Sequence, residues 1–477
     1  MILEKYQPKE VLKHFEAISQ IPRGSGNEKA VSDYIYNFAE KLNLKAQQDK
    51  WNNIIVFKPS SPGYEEKPAV ILQAHLDMVC EKNAGTVHDF TKDPLKLYVD
   101  GDTIRAEGTT LGGDNGIGVA LCMAALESET SHPPLEIVLT TDEESGMTGA
   151  LNLSASLLKA TRMINLDSGD DSEFVMGCAA GTMAEFFLPV KWEASGGQAY
   201  KISVSGLKGG HSGLDITDDR GNALRILGYL LDELQNYDAG MKIASASGGM
   251  KVNAIPRESE AVITFAAKDA ANRAENIINE CSKIFVKQYR ENDLQISMSP
   301  CLADKVMSAD CGRKFVSSLL VLPLGTICMS REIENLPNAS CNIGVLNTEA
   351  DGIKISIMPR GAANFYNRQT ESQIKAVADL AGARLTFSQR SPAWPYNPDS
   401  ALLKTAMECY KPVFGRDAKI TATHGGLECG ILLDKIPGLD IVAFGPTQYN
   451  VHTPDEGLSI KSTEKSWEFL KNLLKAL

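Results

Sequence analysis

The chain has 477 residues, 43% of them hydrophobic and 23% charged. That is ordinary globular composition; it excludes a disordered chain and allows two or three domains of roughly 150 residues each. Its 48 Lys and Arg against 60 Asp and Glu leave a net charge of −12, which excludes a general nucleic-acid binder with a basic face and suits a protein that holds cations.

The N-terminal stretch MILEKYQPKEVLKHFEAISQIPRGSG has no apolar core segment and no small-residue cleavage site, so no secretory leader is expected. No run approaches roughly 18 consecutive apolar residues, so no membrane span is expected, and a membrane is not among the expected partners. The ten cysteines are scattered, with no CxxC pair, which fits reduced thiols and a cytoplasmic location.

Residues 8–21 predict an amphipathic helix through Val11, Leu12, Phe15, Ile18 and Ile21, stopped by Pro22 and the following glycine turn. Residues 27–43 restart the same pattern. Short apolar segments at 53–57, 69–74, 136–140 and 163–166 read as strands, with a helix at 116–127 between them. Strands alternating with helices predict an α/β domain with a mostly parallel sheet and flanking helices.

A second region opens near Leu188. Strand-like KISVSGL, a helix over 222–235, strand-like KVNAIP and EAVITFAAK, and a helix over 271–288 predict an α+β unit. Residues 314–384 echo it in part: a helix at 313–320, then SCNIGVL, GIKISIMPRGA and a helix over 370–381. Asn253 and Asn342 sit alike before strand pairs. The tail, with a helix at 401–410, HGGLECG, the strand IVAFGP and a helix over 462–476, reads as the rest of the first domain. The expected organisation is a discontinuous α/β domain, 1–187 and 386–477, with an inserted α+β lid of doubled architecture at 188–385.

Four strand-like segments run into acidic or histidine residues. These are His75-Leu76-Asp77, Asp142-Glu143-Glu144, Asp167 and, after a short loop, His452; Asp114 lies in the glycine-rich LGGDNGIG before a helix. Ligands of open α/β sheets collect outside the carboxyl ends of the strands, so these distant residues can meet at one rim. Each alone has a plainer reading: His75 as a core histidine, Asp114 as a helix N-cap, Glu143-Glu144 as a solvated turn, Asp167 and His452 as loop residues. Together they make a set of two histidines and several carboxylates without cysteine. That set suits zinc or another first-row divalent ion, or two ions sharing a carboxylate. Of Glu143 and Glu144, one can ligate while the other carries a proton.

The segments HLDMV, GTTLGGDNGIG, TTDEESGMTGA, NLDSGD, GGHSG, VNAIP and HTPDE resemble the aminoacylase and carboxypeptidase family of dinuclear zinc exopeptidases. HTPDE, HGGLECG and the large insertion are most similar to its aminoacyl-histidine dipeptidase branch. The resemblance implies that His75 and His452 bind different metals, that Asp114 bridges them, and that Glu144 and Asp167 complete one shell each. It implies Asp77 behind His75, Glu143 as general base and then acid, and a cis peptide at Asp114-Asn115. In the lid it implies His211 as oxyanion donor and Asn253 and Arg360 as holders of the substrate's free carboxylate; in HGGLECG, near the metal rim, it implies His424 and Glu428 as substrate contacts. The implied cofactors are two divalent ions, zinc first, since cobalt and manganese accept similar ligands. The implied reaction is hydrolysis of Xaa-His dipeptides, β-alanyl-histidine included, by a metal-activated water. The expected partner is a small peptide, with no nucleic acid; monomer or homodimer stays open. A tripeptidase, a broad dipeptidase, a deacylase or a non-catalytic peptide binder on the same fold are the alternatives.

Overall fold

The computed structural model describes residues 2–265 and 270–477. The chain forms two compact units: Met1–Gly177 with Tyr396–Ala422 and Leu427–Leu477, and Cys178–Pro395 with Thr423–Gly426.

The first unit is built on an eight-stranded sheet ordered Lys45–Gln48, Ile54–Lys58, Leu135–Thr140, Val70–His75, Arg162–Asn165, Asp440–Ala443, Glu173–Cys178, Lys419–Thr423. Leu135–Thr140, Val70–His75, Arg162–Asn165 and Asp440–Ala443 run parallel in consecutive pairs. Ile54–Lys58 and Glu173–Cys178 join them antiparallel, so the sheet is mixed, with a parallel centre. Val70–His75 and Leu135–Thr140 are buried at every position, which is why they read as largely apolar runs, broken only by Gln73 and Glu136 before their polar ends. The helix Gly113–Glu127 is buried almost throughout; Asp114 and Asn115 have non-helical dihedrals, so the regular turns begin at Gly116. Lys9–Ile18 and Lys29–Lys41 are amphipathic helices with their apolar faces buried. The parallel centre aims four carboxyl ends at one rim.

The second unit contains a nine-stranded antiparallel sheet made of two like halves. In one, the spatial order is Gln295–Cys301, Gln198–Ser205, Ser259–Phe265, Lys242–Gly248. In the other it is Arg384–Ser391, Ala180–Pro189, Gly352–Gly361, Pro337–Thr348. Numbered along each half, both read fourth, first, third, second, the strand order of a split β-α-β-β-α-β motif. They meet edge to edge where Gly248 pairs with Leu346. Helices Ala223–Tyr237 and Ala270–Tyr289 serve the first half, Ala309–Val321 and Asn364–Ala381 the second. Leu227, Ile263, Phe315 and Ile355 belong to one continuous buried cluster. The strand Gly325–Met329 is an extra, paired to Pro337–Thr348.

The halves are nested. The outer one begins with Ala180–Pro189 and resumes only at Ala309, after the whole inner half. A short antiparallel clasp, Trp192–Ala194 with Lys305–Met307, ties the two ends of the inner half together. The expected boundaries at 188 and 385 fall inside the strands Ala180–Pro189 and Arg384–Ser391, so the second unit is longer at both ends. KVNAIP is not a full strand either. Only Ala254–Ile255 pairs, with Gly210–His211, because the Asn342 amide donates to the carbonyls of Val252 (2.9 Å) and Ala254 (2.8 Å) and holds the segment as a turn. The second strand of the inner half is instead Lys242–Gly248, whose sequence KIASASG is mostly small residues of weak hydropathy. Asn253 and Asn342 are therefore not equivalent, one being in a turn and the other inside a strand. The last three residues of EAVITFAAK lie outside the described residues.

Candidate metal centre

Each central parallel strand delivers one part of the site. His75 is the last residue of Val70–His75. Glu143 and Glu144 follow Leu135–Thr140 through a tight turn, in which Gly146 and Met147 donate to the Asp142 carbonyl and Asp142 takes φ 57°. Asp167 follows Arg162–Asn165. His452, itself at φ 65°, follows Asp440–Ala443 on a loop. Two non-glycine residues in the left-handed region at one rim mark backbone conformations set by their surroundings.

Asp114 joins two centres. Its Oδ1 lies 3.0 Å from His75 Nε2, and its Oδ2 lies 3.3 Å from His452 Nε2. Asp167 Oδ1 is 3.4 Å from His75 Nε2, while Glu144 Oε1 is 3.0 Å from His452 Nε2. So one cluster gathers His75, Asp114 and Asp167, and the other Asp114, Glu144 and His452. Glu143 stands with His75 and Glu144 in a third grouping. The Asp114-Asn115 peptide is cis.

A scaffold of buried polar groups holds these side chains. Asp77 Oδ1 lies 3.3 Å from His75 Nδ1 and accepts the N–H of Glu143 at 3.0 Å. Its Oδ2 accepts from Ser25 Oγ (2.8 Å) and from the Glu144 N–H (3.2 Å). One carboxylate thus fixes both the histidine and the paired glutamates. Arg23, fully buried, donates to the carbonyls of Leu76, Asp77 and Gly112. Gly112 has φ +63°, and a Cβ there would meet Arg23 Nη2 at 2.5 Å, so only glycine fits.

Sequence reasoning gave no role to Arg23 or Glu456. The Glu456 carboxylate accepts four consecutive N–H groups: Leu111 (2.7 Å), Gly112 (2.9 Å), Gly113 (2.8 Å) and Asp114 (3.3 Å). The acidic end of HTPDE was the only signal available for it. Glu456→Gln puts an amide donor against those N–H groups. We expect it to weaken metal binding about 10- to 100-fold, read by equilibrium metal titration, and to lower thermal stability; unchanged affinity would show that the loop holds Asp114 without it.

The donor set fits divalent ions. Four carboxylates crowd two histidines, and the metal-free site balances them with protons. His75 is pushed well above its ordinary value: burial opposes this, but Asp167, Asp114 and Asp77 outweigh it. His452 rises to about 10 through its hydrogen bonds to Asp114 and Glu144. Burial lifts Asp167 to about 6, with the nearby Asp114 and Glu144 charges adding to it. Glu143 also rises well above the usual carboxylate range through burial and the like charges of Asp167, Glu428 and Glu144. Asp77 is held at about 2: burial raises it, and the His75, Ser25 and Glu143 contacts prevail. Cations bound at the two clusters would replace those protons.

Glu428 is fully enclosed. Its Oε2 accepts from Gln73 Nε2 and Thr140 Oγ1, each at 2.6 Å, and its Oε1 has no partner among the described residues. Burial pushes it up to about 8. In the metal-free protein the folded chain therefore keeps a proton that the unfolded chain gives up above its ordinary 4.5. On this group's account stability is full below pH 4.5 and declines toward pH 8. Glu428→Gln should keep the fold and flatten that decline, read by denaturant unfolding across this range. Glu428→Ala should cost about 1–3 kcal/mol by removing the short acceptor that Gln73 and Thr140 share, leaving them the longer bonds to Thr140 Oγ1 (3.2 Å) and the Ala74 carbonyl (3.3 Å).

The second unit gathers the other sequence-predicted residues. Nδ1 of His211 accepts from the N–H groups of Gly213 (3.3 Å) and Leu214 (3.1 Å), which leaves the ring proton on Nε2. Burial, then the Arg360 charge, lowers His211. Arg360 is buried, has no carboxylate partner among the described residues, and is lowered by burial to about 10. His424 is buried beside it. Asn253 is exposed, and its carbonyl accepts the Ser212 N–H at 2.9 Å. No helix among the described residues is long and apolar enough to cross a membrane.

A parallel-centred sheet whose rim holds two acid–histidine clusters linked by one aspartate is the framework of a metal-dependent hydrolase. The chain matches Peptidase family M20/M25/M40 over residues 71–476 and belongs to it. It is 35% identical to the cytosol non-specific dipeptidase of Escherichia coli, covering 100% of this chain and 99% of that protein. Among solved structures, the aminoacylhistidine dipeptidase from Vibrio alginolyticus is similar at TM-score 0.90 and 35% identity, covering 100% of this chain and 98% of that one. A tripeptidase from Staphylococcus aureus, at 18% identity and TM-score 0.61 over 98% of each chain, shares the fold.

Proposed function

We propose that this protein is a dinuclear metallo-dipeptidase acting on short peptides with a free carboxyl end, Xaa-His dipeptides among them. The observation that carries this reading is Asp114, whose two oxygens face two different histidines, in a chain matched end to end by dipeptidases. His75, Asp114 and Asp167 would hold one divalent ion, and Asp114, Glu144 and His452 the other. Zinc comes first for this donor set, with cobalt or manganese next. When bound, such ions polarise a carbonyl and make water a nucleophile at neutral pH.

The chain's own groups do the rest. Glu143, free of both bridged clusters and raised in pKa, takes the proton from the attacking water and returns it to the departing amine. Asp77 sets the orientation of His75 and of the glutamate pair. His211, with its Nε2–H uncommitted, is the donor to the developing oxyanion. Arg360, buried and without a carboxylate partner among the described residues, receives the substrate's carboxylate with His424 and Asn253. Glu428 supports the floor beneath His75 through Gln73 and Thr140. The ten scattered cysteines with no CxxC pair support a reducing, cytoplasmic setting.

The name of the Escherichia coli relative favours a second reading, a broad dipeptidase for which Xaa-His is one substrate of many. Hydrolysis of β-Ala-His, Gly-His, Gly-Leu, a tripeptide and an N-acetyl amino acid separates these, run with chelator and with each metal returned. Chelator-sensitive cleavage of the histidine dipeptides alone supports the narrow reading; equal cleavage of Gly-Leu supports the broad one. Cleavage confined to the tripeptide or the acetyl compound would overturn both.

A further inference from the structure

Three neighbouring strands of the second unit place Thr326, Ser340 and Arg360 side by side in one row. Arg360 is next opposite Gly181. Ser340 is buried, and its Oγ lies 2.7 Å from Nε2 of His424, also buried. The other ring nitrogen, His424 Nδ1, has no partner among the described residues; nor has Nε of Arg360. A Cβ on Gly213 would come within 2.8 Å of the His424 carbonyl and 3.1 Å of the His211 ring, so the His211 loop lies against the same segment.

Either direction of the serine–histidine bond leaves one buried donor over, and what decides between them is where that donor can meet an anionic ligand beside Arg360. Burial, then the Arg360 charge, lowers His424 to about 3, so at neutral pH it carries one ring proton. If that proton sat on Nε2 and pointed at Ser340, the buried hydroxyl hydrogen would have no acceptor among the described residues. If Ser340 donates instead, its hydrogen is satisfied and the ring proton moves to Nδ1. Two buried donors, His424 Nδ1–H and Arg360 Nε–H, are then left over. Buried unpaired donors are costly, and two of them beside one cation call for an anionic acceptor.

We propose that Ser340 is a positioning residue: its hydroxyl fixes His424 as the Nδ1–H tautomer, which together with Arg360 selects substrates ending in a free carboxylate. This rests on the dipeptidase reading for the identity of the ligand, but not for the tautomer. Without Ser340 the ring proton can settle on Nε2. Nδ1 then turns a lone pair toward the carboxylate, replacing attraction by repulsion.

Two measurements test this on the full chain. In the first, nitrogen-15 NMR of histidine-labelled, metal-free protein, with His424 identified by its loss in His424→Gln, reads the tautomer directly. The expected result is a protonated Nδ1 in the wild type and a changed pattern in Ser340→Ala; a protonated Nε2 in the wild type overturns the proposal. In the second, the metal-loaded enzyme is assayed on Gly-His and on Gly-His amide. Ser340→Ala should raise KM for the acid about 10- to 100-fold with kcat little changed, and should lose most of its preference for acid over amide. Ser340→Thr, which keeps a hydroxyl, should restore that preference. A Ser340→Ala enzyme with wild-type discrimination overturns the proposal. Failure of the wild type to cleave any dipeptide would instead overturn the dipeptidase reading, and the NMR result would still decide the role of Ser340.

Discussion

Glu143→Gln is expected to keep its metal and lose turnover by about 10²- to 10⁴-fold, the usual worth of a positioned general base. The variant is nearly isosteric and removes only the ability to carry a proton. Glu143 belongs to neither cluster joined by Asp114, and its backbone is tied to Asp77 Oδ1 at 3.0 Å, so the glutamine should stay in place. An ordinary glutamate is a weak base at neutral pH. Burial and the charges of Asp167, Glu428 and Glu144 raise this one toward the range where a base works well. Metal content measured beside kcat separates the outcomes. Full metal with wild-type kcat would remove Glu143 from the reaction, and lost metal would make it a ligand.

A larger loss follows from Asp114→Ala. Both clusters use this side chain, one oxygen each, so its removal should empty both sites and abolish hydrolysis. His452→Ala touches only the cluster with Glu144 and should lose one ion while the His75 cluster keeps the other. Metal analysis after dialysis, with hydrolysis rates at rising added zinc, distinguishes shared from separate ligands. Equal metal loss in the two variants would contradict the bridging arrangement.

The rim residues were legible in the sequence because parallel strands buried on both faces leave a strong apolar signal, and the polar residue ending each run stands out. His75, Glu143-Glu144 and Asp167 are all of this kind. Which carboxylate serves which histidine was not legible, since it depends on how loops after separate strands fold back. Arg23 and Glu456 were missed for a related reason. They act through backbone groups of Leu76, Gly112 and Asp114, and a side chain that binds backbone leaves no motif. In the second unit the strand Lys242–Gly248 escaped because its alanines, serines and glycine are too small and too weakly apolar to mark a buried face. The repeat was seen only in part because its first outer strand, Ala180–Pro189, is separated in sequence from its partners.

That separation has a consequence for how the chain is assembled. The strands of the inner half all lie between residues 198 and 301, so its pairings are comparatively local. The outer half must bring Ala180–Pro189 against Gly352–Gly361 and Arg384–Ser391, a closure across more than a hundred intervening residues. With its ends already clasped by Trp192–Ala194 and Lys305–Met307, the folded inner half presents itself to that closure as a short bridge. Because the two halves share one buried cluster, the bridge shortens the closure without making the inner half dispensable: the outer strands find one another around it and then pack against it.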